Sequence, residues 1–259
     1  KQYEHDKYYG KYNSLVRVDE NTVALSYQNS SAGYVKTFTI ATDVSDITQV
    51  KSTKLTDTDS QSKDYSFIHL NLNTYAVAYT GKSADGYIST LLISLDGATV
   101  DVKKTDEHEG TQNSYNSLLQ IRPNTVMLAY AGIGNDGFIK TFTIPDGGGD
   151  ITQVISLEHN QQNGLFNNLS QIDSDTYLLT YVQENNKLYY RTFTSQWLDS
   201  EVSPEISTVK LKADNSEIEV TFNEPVYTAT GASTALIKED FKFSLSGGTA
   251  KLGSATPTS

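Results

Sequence analysis

The stretch SLVRVDENTVALSY, residues Ser14–Tyr27, recurs three more times along the chain. The copies are Ser66–Tyr79, Ser117–Tyr130 and Asn168–Tyr181, and their closing tyrosines are 52, 51 and 51 residues apart. A fixed period of this size is typical of repeat architectures, in which each repeat is one supersecondary unit that packs on its neighbours. The repeat therefore determines the fold class before any single residue is considered.

Each copy of the repeat has the pattern of four short strands. Two strands flank a turn rich in Asn and Asp, a polar hairpin follows, and the third strand alternates in polarity, as in Tyr34–Ile40. Four strands in about 50 residues are typical of a β-propeller blade. We therefore predict an all-β fold, with a β-propeller-like array of four four-stranded blades in residues 1–200. The blades are expected at about residues 1–55, 56–106, 107–157 and 158–200.

The fourth repeat has no clear fourth strand. Trp197 and Leu198 are the candidates for a short closing strand. A blade with an uncovered apolar face is unusual on a soluble monomer. We therefore expect one of three arrangements: closure as four blades, further blades in a longer protein, or pairing with another chain.

The repeat ends near residue 202, and a different module follows. Pro204-Glu205-Ile206-Ser207 and the run from Val220 to Val226 resemble the bacterial immunoglobulin-like domains of large surface proteins. That resemblance implies a β-sandwich in residues 201–259. A complete sandwich of this kind has roughly 100 residues, so we expect this module to be partial, and the chain to be part of something longer.

The repeats themselves are similar to tandem repeats in very large secreted bacterial proteins. The matching residues are Glu4-His5-Asp6, Tyr12–Leu15, Gly33-Tyr34 and Lys36–Thr39. The resemblance implies an extracellular or cell-surface location in a multidomain protein, and it implies no reaction.

Composition excludes several classes of function. The formal charge of −11 argues against a partner with a phosphate backbone, so no nucleic acid is expected. No apolar run has the roughly 20 residues that a membrane helix needs, so we expect no membrane insertion. The chain has no cysteine, which excludes disulfides and thiolate chemistry.

One position of the first strand is polar in all four copies of the repeat. It is occupied by Arg17, His69, Gln120 and Gln171. If the first strands line a central channel, these side chains converge there and form a site for a small anion or polar ligand. The alternative is a hydrated channel wall.

Two further sets of residues are candidates for binding. Aromatic residues begin the third strands, and they form either a rim that stacks on sugars or ordinary packing between strands: Tyr34, Tyr87, Phe138 and Tyr189. Asp57 and Asp59 alternate with hydroxyl residues as in calcium loops, so calcium is a possible ligand, although the Gly and Glu of an EF-hand are missing. No other cofactor is indicated.

Three histidines share one repeat position, namely His5, His108 and His159. They form either a set of metal ligands or pH sensors, or a structural element at the junction between blades. Separate blades place equivalent residues too far apart for one metal ion, which favours the structural role.

The sequence contains no catalytic signature of an established type, and we find no catalytic residue in it. The hypothesis it favours is a non-catalytic extracellular module for adhesion, structure, or binding of a glycan or protein surface. The first alternative is a carbohydrate-active enzyme, a hydrolase or lyase, with carboxylates in the funnel of the propeller. The second is a subunit that self-associates through unclosed strand edges into a filament or layer.

Overall fold

The computed structural model describes residues 2–7, 9–30, 32–55, 62–183, 186–194, 206–211 and 218–222. The chain divides into two compact units, Lys1–Leu198 and Asp199–Ser259. The regular elements are β-strands, joined in places by short 3-10 turns such as Lys82–Ala84 and Ile133–Asn135. The prediction of an all-β fold is therefore confirmed.

The first unit contains four antiparallel sheets, and in each one the strands pair in chain order. Sheet 1 consists of β1 (Lys11–Arg17), β2 (Thr22–Gln28), β3 (Gly33–Ile40) and β4 (Ile47–Lys54). Sheet 2 consists of β5 (Lys63–Asn71), β6 (Thr74–Thr80), β7 (Gly86–Ile93) and β8 (Val100–Glu109). Sheet 3 consists of β9 (Ser114–Arg122), β10 (Thr125–Ala131), β11 (Gly137–Thr143) and β12 (Thr152–Asn160). Sheet 4 consists of β13 (Leu165–Gln171), β14 (Thr176–Gln183) and β15 (Lys187–Thr194).

Sheet 4 has three strands in the part of the chain that the structure describes, where four were predicted. The closing strand expected around Trp197 and Leu198 falls outside the described residues. Two other fourth strands are longer than the sequence pattern predicts, which ends them at Lys104 and Leu157. β8 runs to Glu109 and β12 to Asn160, so His108 and His159 lie at strand ends and not in loops.

The sheets pack face to face in chain order through three apolar cores. One face of each sheet, here called the trailing face, packs against the leading face of the next sheet. Ala24 and Val35 of sheet 1 share a core with Phe67, Val77 and Leu91 of sheet 2. Equivalent residues join sheet 2 to sheet 3 and sheet 3 to sheet 4. This arrangement explains why both faces of the second strands are apolar or small.

The first strands β1, β5, β9 and β13, here called the inner strands, contact one another in series. A serine in each of the first three inner strands fixes this contact. The Ser14 hydroxyl accepts a hydrogen bond from the Phe67 amide at 3.0 Å, and Ser66 accepts one from the Leu118 amide at 2.8 Å. Ser117 accepts from the inner strand of sheet 4 in the same way, at 2.9 Å. Equivalent ends of the inner strands therefore lie on the same side of the array, and closure of the array into a ring stays a prediction.

The second unit contributes one described pair of antiparallel strands, β16 (Ile206–Leu211) and β17 (Ile218–Phe222). The sequence also has the pattern of a strand at Phe241–Leu245, which lies outside the described residues. The immunoglobulin-like character of residues 201–259 stays a prediction.

Candidate functional site

The polar residues predicted to converge at the ends of the inner strands separate into two pairs. Arg17 and His69 are exposed and turn toward the first turn of their own sheets. The Arg17 Nε donates to the Asp19 carbonyl at 3.0 Å, and the His69 Nε2 lies 2.9 Å from the Leu72 carbonyl. These contacts stabilise turns, and they leave the two side chains outside the hollow described next.

Gln120 and Gln171 share an open hollow of about 400 Å³ at the ends of β9 and β13. The residues that line it come from sheets 2, 3 and 4: Leu70, Asn71, Gln120, Ile121, Arg122, Pro123 and Gln171. The hollow thus combines amide groups and one guanidinium with apolar side chains. Amides offer both donors and acceptors, so the lining suits a polar, uncharged ligand.

Asn71 fixes one wall of this hollow. Its Nδ2 lies 2.8 Å from the Asn124 Oδ1 and 2.6 Å from the Asp146 Oδ1. Asn124 and Asp146 belong to two different turns of sheet 3, so the contacts tie the edge of sheet 2 to that sheet. Asp146 is a carboxylate beside the hollow, and the lining itself contains none.

The aromatic residues at the starts of the third strands pack on the repeat tyrosines of the second strands. Tyr87 stacks on Tyr79 with ring centroids 5.7 Å apart, and Phe138 stacks on Tyr130 at 5.5 Å. Tyr34 and Tyr189 pair with the tyrosines of their own sheets at 6.1 and 5.9 Å. One ring face of each is therefore occupied by cross-strand packing.

The repeated histidines pack at the junctions between sheets. His108, at the end of sheet 2, meets the Tyr130 ring of sheet 3 edge-on at 5.0 Å, and His159 meets the Tyr181 ring at 4.8 Å. A cation of the following sheet donates to the carbonyl of each histidine: Lys140 to His108, and Arg191 to His159 at 2.9 Å. These contacts support the structural role.

Burial determines the protonation of these histidines. Desolvation, with a smaller effect of the nearby Lys140, lowers the pKa of His108 to about 3. Desolvation, reinforced by Arg191, lowers the pKa of His159 to about 4. Both rings are therefore neutral at physiological pH and are part of the packing.

At the junction between sheets 1 and 2, a tyrosine from another repeat position packs where the other two junctions have a histidine. Tyr65 stacks on the repeat tyrosine Tyr79 with ring centroids 5.6 Å apart, and its ring lies beside Gly33 of the preceding sheet. His108 and His159 lie beside the corresponding glycines at the starts of the third strands of their own sheets, Gly86 and Gly137. The junction therefore needs a flat ring, and it does not require an imidazole.

Metal binding receives no support from the described residues. In the described part of the chain, no group of three or more His, Asp or Glu side chains has the arrangement of a metal site. The weak calcium candidates Asp57 and Asp59 lie in residues 56–61, outside the described residues. Calcium binding there stays a prediction.

The structure reveals a set of residues that the sequence reasoning missed. They lie at one repeat position near the start of each inner strand: Tyr12, Asp64, Tyr115 and Phe166. The repeated pairs Tyr12-Asn13, Tyr115-Asn116 and Phe166-Asn167 are a signal that could have identified this position.

Among the described residues, no helix has the length and apolar character needed to cross a membrane.

No known protein family matches the chain, and no curated protein matches it. Solved structures do match. A structure of NanB with optactamide has a TM-score of 0.54 at 10% identity, covering 73% of this chain and 31% of that one. The NanB sialidase from Streptococcus pneumoniae bound to 2-[(3-chlorobenzyl)ammonio]ethanesulfonate has a TM-score of 0.52 at 11% identity, covering 71% and 31%. Its K499G mutant has a TM-score of 0.50 at 10% identity, covering 70% and 30%.

The chain therefore spans about a third of the length of the solved structures just described. At identities near 10%, the likeness concerns the backbone arrangement and carries no information on the residues of a site. What this chain shares with the sialidase is a fold of consecutive antiparallel sheets.

Proposed function

We propose that this chain is an extracellular, non-catalytic module that binds a glycan in the hollow between Asn71, Gln120 and Gln171. The observation that carries the proposal is the lining of the hollow, where three amides and Arg122 surround an apolar floor. Sugars present hydroxyl groups and apolar C–H faces together, and amides can both donate to and accept from hydroxyls.

The same lining favours binding over hydrolysis. Glycoside hydrolases generally use two carboxyl groups about 5 to 9.5 Å apart, one as acid and one as base or nucleophile. The residues that line the hollow include no Asp or Glu. Asp146 is close by and contacts the Asn71 amide at 2.6 Å, an arrangement that suits a positioning role.

A glycan array followed by calorimetry tests the proposal, with and without calcium. Gln120→Ala combined with Gln171→Ala removes two ligand hydrogen bonds, each worth about 1 kcal/mol, so we expect affinity to fall by roughly 30-fold. Gln153→Ala, on the exposed outer strand β12, is the matched control and should bind as the wild type does.

Two results would contradict this proposal. One is a wild-type affinity that the Gln120 and Gln171 substitutions leave unchanged. The other is cleavage of a bound glycan by the wild type, which would establish the alternative of a carbohydrate-active enzyme. In that case Asp146→Asn, which keeps the size of the side chain, tests whether this carboxylate takes part.

A second candidate function, self-association, is favoured by the trailing face of sheet 4. Tyr190 is 78% exposed, whereas the equivalent residues of sheets 1, 2 and 3, Val35, Ile88 and Ile139, are 0%, 0% and 1% exposed. On the leading face of sheet 1, Leu15 is 62% exposed. Inside the array, these two kinds of face pack against each other. We propose that a second copy of the chain places the leading face of its sheet 1 on this surface.

Sedimentation velocity over a concentration series tests the association. We expect wild-type assemblies to grow with concentration, and Tyr190→Lys to shift the chain to monomer. Leu72→Lys, in an exposed turn of sheet 2, is the control and should associate normally. A wild type that is monomeric at every concentration rules out this function.

A further inference from the structure

Each inner strand begins with a β-bulge at the same repeat position. In sheets 1, 2 and 4 the pairing with the second strand shifts between Lys11 and Ser14, Lys63 and Ser66, and Leu165 and Asn168. In sheet 3 the shift falls between the partners Ser114 and Ser117. The bulge places two residues of the inner strand opposite one residue of the second strand, and a bulge of this kind redirects a side chain.

The redirected residues have a left-handed backbone. Their φ angles are 55° for Tyr12, 55° for Asp64, 56° for Tyr115 and 53° for Phe166. Gly or Asn adopts this region most readily, and a bulky residue there costs on the order of 1 kcal/mol. Three of the four sheets nevertheless have an aromatic residue at the position. A purely structural bulge would be more stable with glycine, so the aromatic rings need another explanation.

Two of these rings form a pair next to a carboxylate. The centroids of Tyr115 and Phe166 lie 4.3 Å apart with an interplanar angle of 44°. The Tyr115 amide donates to the Asp64 Oδ2 at 3.0 Å, and the Asn116 Nδ2 donates to the Asp64 carbonyl at 3.2 Å. The side chains of sheets 2, 3 and 4 are therefore brought together at this end of the inner strands.

The Phe166 ring makes this cluster accessible, unlike the aromatic residues of the cores. Phe166 is 58% exposed, whereas Tyr75 and Tyr177, which lie on the second strands, are 0% exposed. The Asp64 side chain is 15% exposed, and its Oδ2 lies 4.0 Å from the Lys63 Nζ. The cluster also differs from the hollow in position. Phe166 and Gln171 are five residues apart on β13, which places them about 17 Å apart along the strand.

We propose that Tyr115, Phe166 and Asp64 form a second binding site, for a neutral pyranose of an oligosaccharide. The exposed ring face of Phe166 stacks on the C–H face of the sugar, because an aromatic ring offers a large, flat apolar surface. The Asp64 carboxylate has lone pairs beyond the one that accepts from Tyr115, and these accept hydroxyl groups.

The charges select a neutral sugar. The formal charge of −11 for the chain disfavours acidic glycans, and the Asp64 carboxylate adds to this, although the Lys63 Nζ lies 4.0 Å from its Oδ2. A nucleic acid, which would also stack on aromatic rings, is disfavoured for the same reason. This second site does not depend on the hollow, since none of its three residues lines the hollow.

The test measures binding of four neutral hexasaccharides: cellohexaose, xylohexaose, maltohexaose and N-acetylchitohexaose. Phe166→Asn and Tyr115→Asn remove the rings and keep a residue that tolerates a left-handed backbone, so the fold is preserved. We expect each substitution to weaken binding of the preferred hexasaccharide by about ten-fold. Phe166→Tyr should keep the affinity within about two-fold of the wild type.

Leu72→Asn is the matched control, because Leu72 is also exposed and has a φ of 44°. It should bind as the wild type does, and circular dichroism should show the same fold for all variants. The proposal is overturned if the wild type binds none of the four at millimolar concentration. It is also overturned if the Asn variants bind like the wild type, or if only the Gln120 and Gln171 substitutions reduce binding.

Discussion

The buried histidines at the junctions between sheets make the stability of the protein depend on pH. His108 is 9% exposed and His159 is 5% exposed. Their pKa values of about 3 and about 4 in the folded protein lie below the ordinary value of 6.5. Because the unfolded chain binds the proton more tightly, acid favours unfolding. Their contribution to stability is complete above pH 6.5 and is lost as the pH falls from 6.5 toward 4 and 3.

The size of this loss of stability follows from the linkage between proton binding and unfolding. One pKa unit corresponds to about 1.4 kcal/mol, so lowering the pH from 7 to 5 costs about 2 kcal/mol for each histidine. His108 and His159 lie at different junctions, so their effects should add to about 4 kcal/mol. That is a large part of the stability of a typical domain.

Urea unfolding followed by far-ultraviolet circular dichroism at pH 7 and pH 5 measures this loss. Carboxylates also titrate in this range, so the informative quantity is the difference between variants. His108→Phe combined with His159→Phe keeps a flat ring at both junctions, as Tyr65 does in sheet 2. We expect the loss between pH 7 and pH 5 to be about 4 kcal/mol smaller in this double variant. Each single variant should recover about half of that difference.

His69→Phe is the control, because His69 is exposed and does not pack at a junction between sheets. It should lose as much stability between pH 7 and pH 5 as the wild type does. The reasoning is refuted if the double histidine variant loses as much as the wild type. Such a result would mean that the imidazoles at the junctions bind protons in the folded state.

Two further predictions concern the contacts between sheets. Gly148 has a φ of 66°, and a Cβ there would lie 3.1 Å from that of Thr90, whereas Gly147 has a φ of 81° and open space around it. Gly147→Ala should cost about 1 kcal/mol of unfolding free energy through backbone strain alone, and Gly148→Ala about 2 kcal/mol or more, in thermal or urea unfolding. Equal losses of unfolding free energy in the two glycine variants would show that the contact between Gly148 and Thr90 has room for the added Cβ. Ser66→Ala removes a 2.8 Å hydrogen bond between inner strands and should cost about 1 kcal/mol, while the exposed Ser52→Ala should cost less than about 0.5 kcal/mol. If Ser66→Ala and Ser52→Ala are equally stable, the hydrogen bond between Ser66 and Leu118 contributes nothing to stability.

The strands of the first unit were predictable because their signals are local. Alternation along Tyr34–Ile40 and the repeat of Ser14–Tyr27 depend on neighbouring residues, and β3 and β2 lie where these patterns place them. The ends of the strands were less predictable. The repeat pattern predicts a first strand that begins at Leu15, whereas β1 begins at Lys11, since a bulge lets the chain continue pairing past its irregular residue.

The grouping of side chains into sites was not predictable from the repeat. Arg17 and Gln120 occupy the same repeat position, yet one contacts its own turn and the other lines the hollow. The local contacts of each side chain decide this, and the repeat period carries no information on them.

By itself, the sequence determined the all-β class, the repeating sheets and the apolar residues that pack between those sheets, because alternation and turn chemistry act over a few residues. Only the tertiary structure decided which of those residues meet. Packing one sheet on the next brings Tyr115, Phe166 and Asp64 together, although 51 residues separate each from the next along the chain. The bulge that holds these three residues depends on pairing with the second strand, and that pairing appears only in three dimensions.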